Sequence, residues 1–408
     1  MTERKKNKAI FVVETPLHLF SYVCYVLAHK EIKTFTELEV LILAQFSDCH
    51  ELGQRVESTK LFDRVIYAEP YYENSRGESL KHVMKLLTQR RKSEDSFFGL
   101  HPSLRAEDYN TIFCASVSLF VIDIKYFCGK NATTILVEDG IGSYNGSIAK
   151  PFSFFDEIVS YENVSTSLSE SVKRYAKRCF NLLTQGKMLL HPKELYLFRI
   201  DDNVKKVYKS IYLNQLILPV GSDKALLSEI FPHNSKDLYQ NSAWIFLSLP
   251  SGLNSVVLEA EKGLVNFIQK TKDDLLIRHH PRSNMRYAEE ASVKIDYYNE
   301  LWESLAFHGA ISDDHTIFGF GSSAQISPKM IFGLEPHIVF LHKLLRINDS
   351  FLGNIEYIVR ELKNVYANPE KIYAPESLDE LNSILLFLQN GEQIQIQRSS
   401  ARGMGCGF

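Results

Sequence analysis

The chain has 408 residues, too many for a single ordinary core, so two domains of roughly 200 residues are expected. It is 45% hydrophobic and 23% charged with a formal net charge of -3, a globular composition without the basic excess of a general nucleic-acid binder. The six cysteines, Cys24, Cys49, Cys114, Cys128, Cys179 and Cys406, include no CxxC pair, which argues against a zinc site or a disulfide framework and for a reducing compartment.

In chain order, Ala9–Val13 reads as a first buried strand. The apolar run stops at Glu14, too early for the core of a signal peptide, and no stretch approaches the length of a membrane span. An apolar helix follows over 17–28, then strands at 38–44 and 64–68. Helical spacing runs over 79–91, and the one basic run, Lys85–Lys92, overlaps its end, which suits a solvated helix end or a contact with an anionic membrane surface or acidic glycan. Strands follow at 110–116 and 133–137. Residues 166–241 are mixed, and the polar stretch 231–242 is the best linker candidate. The pattern then restarts. Strands are expected at 243–249, 274–279, 316–320 and 336–341, with helices at 254–270, 299–307, 323–332 and 377–388. The glycine-rich end reads as a flexible tail. Continuous apolar strands alternating with helices signify parallel sheets covered on both faces. The expected division is therefore an α/β domain over 1–240, a second over 241–390 and a tail over 391–408.

In such sheets ligands bind beyond the carboxyl ends of the strands, so chemistry is sought where a strand ends. Three segments qualify. Glu138 and Asp139 end the 133–137 strand, with Gly140 and Gly142 behind them. A partly desolvated carboxylate there can serve as a general base, or it can cap the following turn. Arg278, His279, His280, Pro281 and Arg282 put four cationic side chains at another strand end, a set suited to an anionic ligand. Gly319, Gly321, Ser322 and Ser323 end a third strand and open a helix, where free N–H groups receive phosphate or serine simply caps the helix. Asp313 and Asp314 precede that strand and read as exposed turn residues rather than a metal motif.

Taken in order, Glu138-Asp139-Gly140, His280-Pro281 and Ser322-Ser323 resemble the motif series of the bacterial sialyltransferases. Glu14-Thr15-Pro16-Leu17-His18-Leu19 looks like the opening of glycosyltransferase family 52, which includes lipooligosaccharide and capsule sialyltransferases. The resemblance implies a GT-B fold, with two Rossmann-like doubly wound domains facing across a cleft. It implies inverting transfer of sialic acid from CMP-sialic acid to a terminal sugar, galactose by preference, of a bacterial surface glycan, with no metal or other cofactor. It assigns Asp139 as base, with Glu138 as its partner or substitute, and His280 as the group assisting phosphate departure. Arg278, Pro281, Arg282, Gly321, Ser322 and Ser323 would surround the donor, Glu303 would meet the ribose, and Thr15, Pro16, His18 and Gly140 would lie on the acceptor side. Some family members draw the base from the segment before the His-Pro strand, which here offers Glu259 and Glu261. A polysialyltransferase or another CMP-sugar transferase is the nearest alternative, and a nucleotide-sugar 2-epimerase is the alternative of another class. The expected location is the cytoplasm, with peripheral membrane association and a homodimer both permitted.

Overall fold

The computed structural model describes residues 7–29, 32, 34–44, 46–68, 109–116, 118–128, 131–144, 152–153, 189–250, 255–280, 294–298, 300–345 and 349–403. The helical spacing at 79–91, the basic run at 85–92, Pro281 and Arg282 lie outside them. Contacts divide the chain into two units, Met1–Phe231 and Pro232–Phe408.

The first unit is built on β1 (Lys8–Val13), α1 (Pro16–Ala28), β2 (Glu37–Leu43), α2 (Cys49–Thr59), β3 (Arg64–Ala68), β4 (Tyr109–Cys114), α3 (Leu119–Cys128) and β5 (Thr133–Val137). A short antiparallel pair, β6 (Phe152–Ser153) and β7 (Leu189–Leu190), is followed by β8 (Glu194–Leu197), α4 (Asp202–Val207), β9 (Tyr212–Gln215) and α5 (Ser222–Ile230). Among the described residues the main sheet has seven strands in the order β3-β2-β1-β4-β5-β8-β9. Its neighbouring strands are parallel throughout. All six residues of β1 are buried, as a strand covered on both faces requires. The Phe11 ring stacks on Phe113 of β4 at 4.2 Å. β9 was not legible as a strand because it forms the sheet edge and carries polar Asn214 and Gln215 in place of an apolar run.

The second unit contains α6 (Lys236–Gln240), β10 (Trp244–Leu247), α7 (Ser255–Gln269), β11 (Leu276–Arg278), β12 (Lys294–Asp296), α8 (Trp302–Phe307), β13 (Thr316–Gly319) and α9 (Ser323–Phe332). It closes with β14 (His337–Phe340), α10 (Asp349–Val365), β15 (Ile372–Tyr373) and α11 (Leu378–Gly403). Its sheet is also parallel, in the order β12-β11-β10-β13-β14-β15. Trp244, Phe246, Ile277, Phe318 and Val339 form its core, and Leu381, Leu385 and Leu388 of α11 seal it at helical spacing.

Two boundaries differ from the sequence reading. Residues 232–240 belong to the second unit, because the backbone N–H groups of Asn234 and Ser235 donate to Glu300 and the Tyr239 hydroxyl donates to Asp296. The closing helix continues to Gly403, through much of the segment read as a tail.

Both sheets are doubly wound. The chain leaves β1 outward through β2 and β3, then returns to place β4 on the other side of β1. In the second unit it leaves β10 through β11 and β12 and returns with β13. At such a reversal the connections on either side diverge and open a crevice at the carboxyl ends of the two central strands.

Candidate active site

At the carboxyl end of β1 the sequence Glu14-Thr15-Pro16-Leu17-His18 encodes a helix start. Thr15 is the N-cap of α1, and its hydroxyl accepts from the His18 N–H at 3.4 Å. Pro16 takes the first helical position, where a missing N–H costs nothing. This sets His18 in the first turn, 2% exposed. Its Nδ1 accepts from the Glu14 N–H at 3.2 Å, and its Nε2 lies 2.5 Å from Oδ1 of Asp139. Beside this pair the Ser116 hydroxyl, just past β4, donates to the Glu14 carboxylate at 2.6 Å. The ends of β1, β4 and β5 thus bring two carboxylates, a histidine and a serine to one rim, at the β1/β4 reversal.

The two adjacent acids have different fates. Glu138 is 1% exposed. Its carboxylate accepts from the Tyr144 hydroxyl at 2.6 Å and from the Phe198 N–H at 2.8 Å, and its own N–H donates to the Tyr196 carbonyl of β8. Burial, then the neighbouring Glu138 charge, pushes the Tyr144 hydroxyl well above its usual range. Glu138 therefore fastens the turn after β5 to β8, and it is not placed to act on a substrate as Asp139's substitute. The Asp139 side chain is 36% exposed. Its N–H donates to the Ser143 hydroxyl at 2.8 Å, and the Tyr208 hydroxyl holds the Ser143 carbonyl at 2.5 Å. Gly140 opens the 3-10 turn, Gly140–Tyr144, that carries these contacts. A half-open carboxylate on a braced turn is suited to receiving a proton.

In the second unit Ser248 follows β10. Its N–H donates to the Arg278 carbonyl at 3.0 Å and its hydroxyl accepts from the His280 N–H at 2.8 Å. His280 is thereby fixed by its backbone at the end of β11, half-buried. Burial lowers the pKa of its neighbour His279.

Arg278 does not join His280 as an anion-binding donor. It is 8% exposed, and its Nη1 donates to Asp296 at 2.8 Å and to the Tyr239 hydroxyl at 2.6 Å. Nη2 donates to the Glu300 carbonyl, and the guanidinium lies 5.6 Å from the Trp302 ring and 5.9 Å from that of Tyr239. Burial opposes its charge, but Tyr239 and Asp296 outweigh burial and hold its pKa above the ordinary range. The side chain is committed to ties with α6, β12 and the segment before α8.

Glu303, in the first turn of α8, is 4% exposed. Burial raises its pKa against the opposing pull of Arg278. Of the two alternative acids, Glu261 is buried and accepts from the Leu249 N–H at 3.1 Å, while Glu259 is exposed and paired with Lys262. Asp313 and Asp314 are exposed turn residues, and Asp313 accepts from the Glu335 N–H at 2.5 Å. Among the described residues no group of three or more His, Cys, Asp or Glu side chains is assembled as a metal ion would need.

The turn between β13 and α9 combines close packing with a buried hydroxyl that has no partner among the described residues. Gly321 has φ +95°, and a Cβ there would lie 2.9 Å from Ile355, so backbone conformation and space both select glycine. Its N–H donates to Oε1 of Gln325 at 2.7 Å, and the buried Gln325 donates to the Val339 carbonyl of β14. Ser322 is the N-cap of α9 but makes no capping bond, and its buried Oγ has no partner among the described residues. The first turn of α9, headed by Ser323, follows the end of β13 at the β10/β13 reversal, and a helix start carries backbone N–H groups without helical partners.

The sequence had singled out both His18 and Asp139, but not their pairing across 121 positions. The bracing roles of Ser143, Tyr208 and Ser248 carried no motif to reveal them. Among the described residues no helix is long and apolar enough to cross a membrane.

No protein-family model and no curated protein matches the chain. Solved structures do. The glycotransferase of kitacinnamycin superposes with a TM-score of 0.51 at 9% identity, over 94% of this chain and 91% of its own. A Listeria monocytogenes protein named for UDP-N-acetylglucosamine 2-epimerase activity gives 0.49 at 11% identity, over 96% of this chain and 89% of its own. Residues 113–497 of a Photobacterium damselae sialyltransferase, its GT-B domain, give 0.47 at 11% identity, over 90% of this chain and 99% of its own. At 9% identity the first likeness bears on fold alone, and it agrees with the strand orders above: two parallel-sheet α/β units of the GT-B class.

Proposed function

We propose that the chain is an inverting glycosyltransferase that moves sialic acid from CMP-sialic acid to a sugar hydroxyl, with galactose on a bacterial surface glycan as the acceptor. The observation that carries this reading is the half-open Asp139 carboxylate, braced by Ser143 and His18 at the β1/β4 reversal. A half-open carboxylate at a strand end, in one of two parallel-sheet units, supports the role of base.

In this reading Asp139 accepts the proton of the acceptor hydroxyl. The freed oxygen bonds to the anomeric carbon of sialic acid as the bond from that carbon to the phosphate oxygen breaks. The bonding electron pair leaves with CMP, and His280 donates to the departing phosphate. Ser322 Oγ and the α9 amides receive the phosphate charge, so no metal is called upon. Glu303 is assigned to the ribose hydroxyls. Attack and departure on opposite faces of the carbon give inversion.

Calorimetric titration with CMP and, separately, UDP tests the donor class. Binding of CMP but not UDP supports a CMP-sugar donor, and binding of UDP alone overturns it in favour of a UDP-sugar transferase or epimerase.

A further inference from the structure

His18 is a buried histidine with both ring nitrogens engaged. Nδ1 is a hydrogen-bond acceptor, because the group facing it at 3.2 Å is the Glu14 backbone N–H, which can only donate. A neutral imidazole carries one proton, so that proton sits on Nε2 and is donated to Asp139 Oδ1 at 2.5 Å. A backbone amide cannot change its role, so the main chain at the end of β1 sets the tautomer of a side chain that reaches β5. Adding a second proton to the ring would set an N–H on Nδ1 against the N–H of Glu14.

Three consequences follow for the rim. His18 is 2% exposed and its Nε2 is covered by Asp139, so a substrate hydroxyl has no open nitrogen to approach. Asp139 is the open member of the pair, with its side chain 36% exposed, and its second oxygen has no partner among the described residues. Finally, an Nε2–H donor orients the carboxylate whether Asp139 is ionised or protonated, because Oδ1 can accept in both states.

We propose that His18 is the positioning residue for Asp139, holding one carboxylate oxygen through a proton that it keeps throughout the reaction, so that the other oxygen faces the acceptor hydroxyl. This rests on the reading of Asp139 as the base. The proton lost by the acceptor goes to the second Asp139 oxygen, and His18 neither gains nor loses one. Thr15 and Pro16 serve the same end, since the capped start of α1 is what brings Nδ1 onto the Glu14 amide.

The test compares His18→Ala with His18→Gln, whose terminal amide can donate to Asp139 and accept from Glu14 but cannot serve as a base. Transfer from CMP-sialic acid to lactose is followed, with melting temperature as the check on folding. His18→Ala should lower kcat about 100-fold while the donor KM changes little, as expected for a misplaced reacting group. His18→Gln should recover roughly tenfold of that loss. Unchanged kcat in His18→Ala overturns the proposal, and so does a His18→Gln variant that is folded but as slow as the alanine variant, since the imidazole would then itself be taking the proton.

Nitrogen-15 spectra of histidine-labelled wild-type protein, assigned by subtraction against His18→Gln, read the tautomer without any substrate. A protonated Nε2 whose signal moves in Asp139→Ala supports the proposal, and a protonated Nδ1 overturns it. Wild-type protein that transfers nothing from CMP-sialic acid would refute the donor assignment, leaving the spectrum to decide the role of His18.

Discussion

The carboxyl edges of the two sheets share a topology and differ in chemistry. In the first unit the edge is acidic and its groups hold one another: Ser116 on Glu14, His18 on Asp139, and Ser143 on the Asp139 amide. In the second unit Ser248 and Gln325 brace the backbone, and the groups at the strand end are donors: the N-terminal turn of α9 and the buried Ser322 hydroxyl. A doubly wound sheet thus supplies a crevice and leaves its charge to a few residues after each strand. An edge built of carboxylates is suited to removing a proton, and an edge built of N–H groups is suited to stabilising a phosphate.

Substitutions can break this contrast in graded steps. Asp139→Asn should lower turnover by about 10²- to 10⁴-fold, as for the loss of a general base, while calorimetry finds CMP affinity unchanged. A loss of CMP affinity instead would merge the two roles. Arg278→Ala should lower unfolding stability by about 3–5 kcal/mol in denaturant titrations, because it strands buried Asp296 without its cation. CMP affinity in the folded fraction should stay near wild type, and a selective loss of CMP binding would return Arg278 to the donor site. Glu138→Gln should lower stability by about 1–3 kcal/mol, since one carboxylate oxygen accepts from both Tyr144 and Phe198 and the amide oxygen would replace these charge-assisted bonds with weaker neutral ones. Its activity per folded molecule should exceed that of Asp139→Asn, and equal inactivity would show the two acids sharing one role. Ser322→Ala removes one neutral donor. It should weaken CMP binding only about threefold to tenfold, measured by the same titration.

These contrasts also mark what could be read from the sequence. The strands β1–β5, β10, β11, β13 and β14 were legible because buried parallel strands are continuous apolar runs, and the three motifs fell at strand ends for the same reason, whereas β6–β9, β12 and β15 were not read as strands. Glu138 and Asp139, by contrast, look alike in one dimension. Successive side chains of an extended segment point to opposite sides, and which of them meets Tyr144 and Phe198 depends on the neighbouring strand β8. Arg278 was misread for a related reason. Its cationic neighbours suggested an anion, whereas its partners, Tyr239, Asp296 and Glu300, lie 18 to 39 positions away and carry no motif.

The turn between β13 and α9 is ordered from within. Gln325 joins the Gly321 amide to the β14 carbonyl of Val339, and Ile355 fills the space a side chain would need at Gly321. A loop already locked by its own buried amide has little freedom left to lose when an anion arrives. Association there should follow a single fast step, with a small change in heat capacity and no slow rearrangement of the turn before capture.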